Sequence, residues 1–128
     1  MPAPTSILYV EDNVDNRLLV KRVLEAEGYQ MLGASDGLDG LALAEAHAPD
    51  LILMDINLPE IDGYSMTARL KSHPHLAHIP IIALTANVMK GDRERSLAAG
   101  CDGYIQKPID VDQLPRQIEY FLGRRTLN

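Results

Sequence analysis

Four short apolar stretches of this 128-residue chain run into residues equipped for chemistry. ILYV at 7–10 leads to Glu11 and Asp12, LILM at 51–54 to Asp55, and IPIIAL at 79–84 to Thr85 and Ala86. Tyr104 and Ile105 are followed two positions on by Lys107 and then Pro108. Three carboxylates brought to one place repel, and at least one then titrates high. A hard divalent ion relieves the repulsion. Mg²⁺ takes oxygen ligands, keeps several waters and favours sites where phosphate is present. Asp12 and Asp55 are the expected direct ligands, Glu11 the partner of a metal-bound water, and the Asn57 backbone carbonyl a further ligand. Lys107 offers a positive charge to an anion and Thr85 a hydroxyl donor. A metal, a lysine, a hydroxyl and a carboxylate nucleophile make a phosphoryl-transfer site, whose product here is an acyl phosphate on Asp55. Taken singly, each residue has an ordinary explanation. Asp12 and Asn13 would cap a helix, Thr85 likewise, and Lys107 would be solvated. The joint pattern carries the reading, because separate strand ends deliver compatible groups.

The elements that must position these residues are legible as an alternation. Continuous apolar runs this short fit strands buried on both faces, as parallel strands are. Including a weaker run at 29–34, there are five. Helical stripes lie between them: Val14, Leu18, Leu19, Val23 and Leu24; then Leu38, Leu41, Ala42 and Ala46; then Met66 and Leu70. After the last strand come Val111, Leu114, Ile118, Phe121 and Leu122, the cleanest stripe. Gly28 and Gly100 stand where helices should stop. Five strands, each followed by a helix, predict an α/β sheet with helices on both faces and right-handed crossovers. In such sheets functional groups collect at the carboxyl ends of the strands, near the switch in strand order. Pro115 lies inside the last stripe, so that helix is expected to begin nearer Asp112 than Asp110, or to bend.

Composition sets limits. The length suits one domain. Twelve Lys and Arg against 18 Asp and Glu leave a net charge of -6, the wrong sign for a protein that lives on a nucleic-acid backbone. One cysteine rules out an internal disulfide and an all-cysteine zinc site. No apolar run approaches the roughly 20 residues of a membrane span, and the N-terminus lacks the pattern of a secretion signal. A soluble cytoplasmic domain is expected.

The set Glu11-Asp12, LILMD ending at Asp55, INLPEIDG at 56–63, LTA at 84–86 and Lys107-Pro108 resembles the response-regulator receiver domain of two-component signalling. The resemblance runs from about Ser6 to Leu122, and the stretch from Asp50 to Pro108 is similar to the DivK-like single-domain group. It implies a flavodoxin-like (βα)5 doubly wound fold with strand order 2-1-3-4-5. It implies Asp55 as phosphoacceptor, Glu11 and Asp12 as metal-binding acids with the Asn57 carbonyl, and Mg²⁺ as the ion, with Mn²⁺ able to substitute. Thr85 matches the switch hydroxyl, Lys107 the phosphate-contacting lysine, and Tyr104 the aromatic that reorients on activation. Lys107-Pro108 matches a peptide commonly cis. Asn57, Ala86 and Asn87 match positions that modulate the lifetime of the phosphoryl group. The implied partners are a histidine kinase or histidine phosphotransfer protein and a downstream protein target. Neither nucleic acid nor membrane is expected, and the state is a monomer or weak dimer. The expected organisation is one receiver domain over 1–128 without an output domain.

Other functions share some of these features. The chain could be a receiver cut from a hybrid histidine kinase, or an intermediate in a phosphorelay. A phosphohydrolase resembling the haloacid-dehalogenase family would use Asp55 as nucleophile, with a second Asp two residues on as general acid. Asn57 stands there instead. A flavodoxin-like cofactor carrier would want a hydroxyl- and glycine-rich loop after the first strand, where Glu11 and Asp12 would repel phosphate. HPHLAH at 73–78 lacks an i, i+4 histidine pair and reads as a solvated loop. Residues 90–96 should be helical yet carry Gly91 and no apolar anchor, the mark of a region of low local stability.

Overall fold

The computed structural model describes residues 4–58, 63–86 and 99–126. Five strands, β1 (Ser6–Val10), β2 (Gln30–Ala34), β3 (Leu51–Asp55), β4 (Ile81–Thr85) and β5 (Gly103–Gln106), form one parallel sheet in the order β2-β1-β3-β4-β5. Helices α1 (Val14–Glu25), α2 (Gly37–His47), α3 (Gly63–Ser72) and α4 (Leu114–Thr126) complete the described elements. The fifth helix expected after β4, with residues 90–96 and Asn87, lies outside the described residues.

Period-two alternation with both faces buried explains the continuous apolar runs. Leu8, Val10, Ile52, Met54, Ile81 and Ala83 pack in one core with Ala44 of α2 and Met66 and Leu70 of α3. Ile7, Tyr9, Leu51, Leu53, Ile82 and Leu84 pack in the other with Val20 and Leu24 of α1 and Leu114 and Ile118 of α4. No helix of the described residues is long and apolar enough to cross a membrane.

Two helices bury only part of the expected stripe: Val23 and Leu24 of α1 and Leu41 of α2 pack on the core, and the rest does not. On α1 the inward residues are Val20 and Leu24, whereas Val14, Leu18 and Leu19 are 54%, 47% and 47% exposed. At the start of the helix Asn13 N, Asn16 Nδ2 and the Arg17 guanidinium hydrogen-bond to Glu11, while Asn13 and Asn16 stay exposed. On α2 the inward residues are Gly37, Gly40 and Ala44, while Leu38, Ala42 and Ala46 are exposed. Here close approach decides. A Cβ at Gly40 would stand 2.8 Å from Val10 Cγ2, so the helix seats its smallest residues on β1 and turns Leu38 out.

Strand and helix ends also follow from backbone chemistry. β4 starts at Ile81, after Pro80, which has no N–H to give to a ladder and uses its carbonyl to accept from Ile52 N at 2.9 Å. Asp110 closes a turn by accepting from Asp112 N on its side chain and from Gln113 N and Leu114 N on its carbonyl. The helix proper begins at Leu114, which puts Pro115 in the first turn, where a missing N–H costs no helical bond. At the other end of α1, Gly28 takes φ +95°, in the left-handed region that favours glycine.

Candidate functional site

The carboxyl ends of β1, β3, β4 and β5 meet at one rim. Asp55 is the last residue of β3 and Thr85 the last of β4, and Leu84 is the register partner of Asp55. Glu11 follows β1, its N–H donating to Ala34 O at 2.9 Å and its carbonyl accepting from the Arg17 guanidinium. The end of β5 is tied to β4 by Lys107 N donating to Thr85 O at 2.7 Å, and Lys107-Pro108 is a cis peptide. Beneath Asp55, Gly63 N donates to Ile56 O at 3.1 Å, and a Cβ on Gly63 would collide with the Asp55 carbonyl. A glycine at the head of α3 therefore lets the helix press on the backbone that carries Asp55.

Glu11, Asp12 and Asp55 each offer a carboxylate oxygen, and these oxygens lie within 4.8 Å of one another. Glu11 and Asp55 are buried and Asp12 is exposed. Asp55 Oδ1 accepts from Lys107 Nζ at 2.8 Å and from Asn57 N at 2.9 Å. Lys107 Nζ stands 4.0 Å from Glu11 Oε1. That oxygen also accepts from Tyr9 Oη at 3.0 Å and Asn16 Nδ2 at 3.3 Å, while Oε2 accepts from Asn13 N at 3.4 Å.

The two buried acids divide in their titration. Burial, then a hydrogen bond and repulsion from Asp55, push the Glu11 carboxyl up to about 7. Burial also opposes ionisation of Asp55, but hydrogen bonds from Glu11, Lys107 and the Asn57 N–H outweigh it and hold that carboxyl below its ordinary value. Burial, followed by the Glu11 charge, raises the Tyr9 phenol, which stays protonated and donates. One high and one low carboxylate is the outcome expected of crowded acids. An all-oxygen cluster of this kind fits a hard divalent ion.

The structure thus brings Glu11, Asp12, Asp55, Lys107 and the Asn57 backbone together, with Thr85 one register step away on the adjacent strand. Ala86 is exposed and joins Lys107, Pro108 and Glu11 in lining a cavity of about 540 Å³ that reaches Tyr9 and Leu19. Tyr104 is paired with Ala83 across the β4–β5 ladder and packs half-buried against the core that holds α2 and α3. Asn87 lies outside the described residues. Asn13, rather than Asp12, caps α1, accepting from Asn16 N at 2.9 Å. Sequence reasoning missed the collar of Tyr9, Asn16 and Arg17 around Glu11. One part was readable: Tyr9 is two residues before Glu11 in an extended run, and so on the same face of it.

The family model for the response regulator receiver domain matches residues 7–119. The chain belongs to that family. It is 48% identical over 120 residues to the polar-differentiation response regulator DivK of Brucella anthropi, covering 94% of this chain and 98% of that one. Among solved receiver structures, Vibrio cholerae CheY4 superposes with a TM-score of 0.89 at 26% identity, over 93% of this chain and 99% of that one. The receiver domain of a Pseudomonas aeruginosa sensor histidine kinase has a TM-score of 0.86 at 40% identity, over 94% and 99%. It was solved with a magnesium ion coordinated in the active site cleft.

Proposed function

We propose that this receiver domain is a cytoplasmic single-domain response regulator of the DivK kind, monomeric or weakly dimeric, that accepts a phosphoryl group on Asp55. The donor is a phosphohistidine on a histidine kinase or a histidine phosphotransfer protein. A carboxylate oxygen of Asp55 attacks phosphorus, the P–N bond breaks, and its electron pair returns to the imidazole. The observation that carries the reading is the setting of Asp55: a buried, ionised carboxylate at a strand end, bonded to an ammonium and an N–H, beside two further acids.

Asp12, Asp55 and the Asn57 carbonyl would hold Mg²⁺ directly, with Glu11 receiving a metal-bound water. When bound, the ion supplies charge neutralisation to the transferring group. Lys107 would contact the phosphoryl oxygens, and Thr85 would donate its hydroxyl to them. Asn57 in place of a second Asp argues against a phosphohydrolase, because an amide has no acidic proton to give a leaving group.

A ligand moves a two-state equilibrium only by its differential contacts. Lys107 already bonds Asp55 at 2.8 Å before any phosphate arrives, so much of its attraction is common to both states. A charge-assisted hydrogen bond from the hydroxyl of Thr85 to the phosphoryl group adds about 1.5–3 kcal/mol. Complete switching from 1:99 to 99:1 takes about 5.5 kcal/mol, so partner binding must supply the rest. In this reading the hinge of the response is the β4 end together with Tyr104 on β5, whose side chain packs one strand away.

Incubation with acetyl phosphate and Mg²⁺, followed by intact mass measurement, tests the assignment. One base-labile phosphoryl group is expected, absent from Asp55→Asn and suppressed by chelator. A stable adduct on histidine or serine would contradict it.

A further inference from the structure

We propose that Tyr9, seconded by Asn16, is a positioning residue that makes the acidic cluster select Mg²⁺ over Ca²⁺ by tying one oxygen of Glu11 back into the fold. The inference rests on the reading that this cluster holds a divalent ion, and it concerns which ion and why.

The Tyr9 ring is fixed. It is 1% exposed, packed in the core beneath α1 with Val20 and Leu24, and its hydroxyl donates to Glu11 Oε1 at 3.0 Å. A buried ring in that setting cannot follow its acceptor if the carboxylate swings away. Asn16 reaches the same oxygen from α1 at 3.3 Å, and Lys107 Nζ stands 4.0 Å from it. Two neutral donors and an ammonium therefore compete with any cation for Oε1.

The two ions differ in what they ask of a carboxylate. Ca²⁺ takes six to eight oxygens in flexible geometry and readily accepts both oxygens of one acid. Mg²⁺ demands a near-octahedral set, holds its waters and takes few carboxylates. For Glu11 to present both oxygens, Oε1 must give up at least one of the Tyr9 and Asn16 bonds that occupy its lone pairs. Serving as a water partner through one oxygen breaks neither. The collar thus penalises the calcium arrangement and leaves the magnesium arrangement intact. Partners behind a metal site commonly set its affinity by about 10–100-fold.

The test titrates MgCl₂ and, separately, CaCl₂ into metal-free wild type, Tyr9→Phe and Asn16→Ala, following backbone amide shifts at the cluster. Tyr9→Phe keeps the ring and removes only the hydroxyl. The ratio of the Ca²⁺ to the Mg²⁺ dissociation constant should fall about tenfold in Tyr9→Phe, because Ca²⁺ binds more tightly while Mg²⁺ changes little. Asn16→Ala should move it the same way by less. A purely structural role for Tyr9 would shift both constants together, and an unchanged ratio overturns the inference. Should Tyr9→Phe fail to fold, Asn16→Ala decides by the same ratio, since Asn16 is an exposed helix residue. Wild type that binds neither ion would overturn the metal site itself. Wild type that binds Mg²⁺ while the variants keep its selectivity overturns only the role of Tyr9.

Discussion

At the scale of single residues, Lys107 bonds Asp55 at 2.8 Å, and Thr85 ends the strand next to the one that carries Asp55. In the proposed mechanism the Thr85 hydroxyl donates to the phosphoryl group. Thr85→Ala should still take up phosphate from acetyl phosphate, yet lose about tenfold or more of the phosphorylation-dependent change in partner affinity. Binding of the partner to phosphorylated and unphosphorylated protein measures this, and an undiminished ratio would count against it. Glu11 gives a pH prediction. In the metal-free protein its carboxyl titrates near 7, and it must lose that proton to meet a cation. Mg²⁺ affinity should therefore fall as pH drops below about 7, approaching tenfold per pH unit, and Glu11→Gln should flatten the dependence. The linkage to stability has a definite sign. Glu11 ionises more easily in the unfolded chain, so without metal its contribution to stability declines as pH rises from the usual carboxylate range to about 7. Asp55, held low, acts oppositely and loses its contribution as the solution becomes acid. Acids at strand ends were readable from the sequence because each follows an apolar run directly. The hydrogen-bonded collar was not, since Tyr9 in ILYV looks like one more buried strand residue.

Among the elements, strands were more legible than helices, for a physical reason. A strand buried on both faces is apolar throughout, so its location needs no knowledge of its neighbours. A helix shows one face, and which face depends on what it meets. On α1 only Val23 and Leu24 of the apolar stripe pack inward, beside Val20, and on α2 the close approach of Gly40 to Val10 turns Leu38 out. On α3 and α4 the apolar stripes do face inward, and Met66, Leu70, Leu114 and Ile118 are buried as their spacing predicts. A second set of contacts, at the opposite end of the sheet, also went unread. Lys71 at the end of α3 donates to Ala77 O at 3.1 Å, Ile79 O at 2.9 Å and Asp102 Oδ2 at 2.8 Å. Asp102 Oδ2 in turn accepts from Ile81 N at 2.9 Å. One ammonium thus fastens α3, the loop into β4 and the entry to β5. Lys71→Met should lower stability by about 2 kcal/mol while leaving phosphorylation by acetyl phosphate intact. Denaturant midpoints and intact mass of the same variant check both halves, and a wild-type midpoint would show that the clasp adds nothing.

For the whole molecule, the division of labour follows from the sheet. The end clasped by Lys71 holds one ion pair, whereas the opposite rim crowds three carboxylates around Lys107 and the Tyr9 hydroxyl. A net charge of -6 is the wrong sign for a nucleic-acid surface. The strand order β2-β1-β3-β4-β5 places the switch in connection direction beside β1 and β3, and the acids sit there. That placement was legible in outline before any coordinates, because the crossover rules leave few topologies for alternating strands and helices. The central claim is that one aspartate carboxylate, next to a bound divalent ion, is where the signal is written. A crystal structure of the protein grown with MgCl₂ and beryllofluoride tests it most directly. The expected map has beryllofluoride bonded to Asp55, contacted by Lys107 and Thr85, with an ion among Glu11, Asp12 and Asp55. A bare Asp55 carboxylate beside an acid cluster holding no ion would contradict the account.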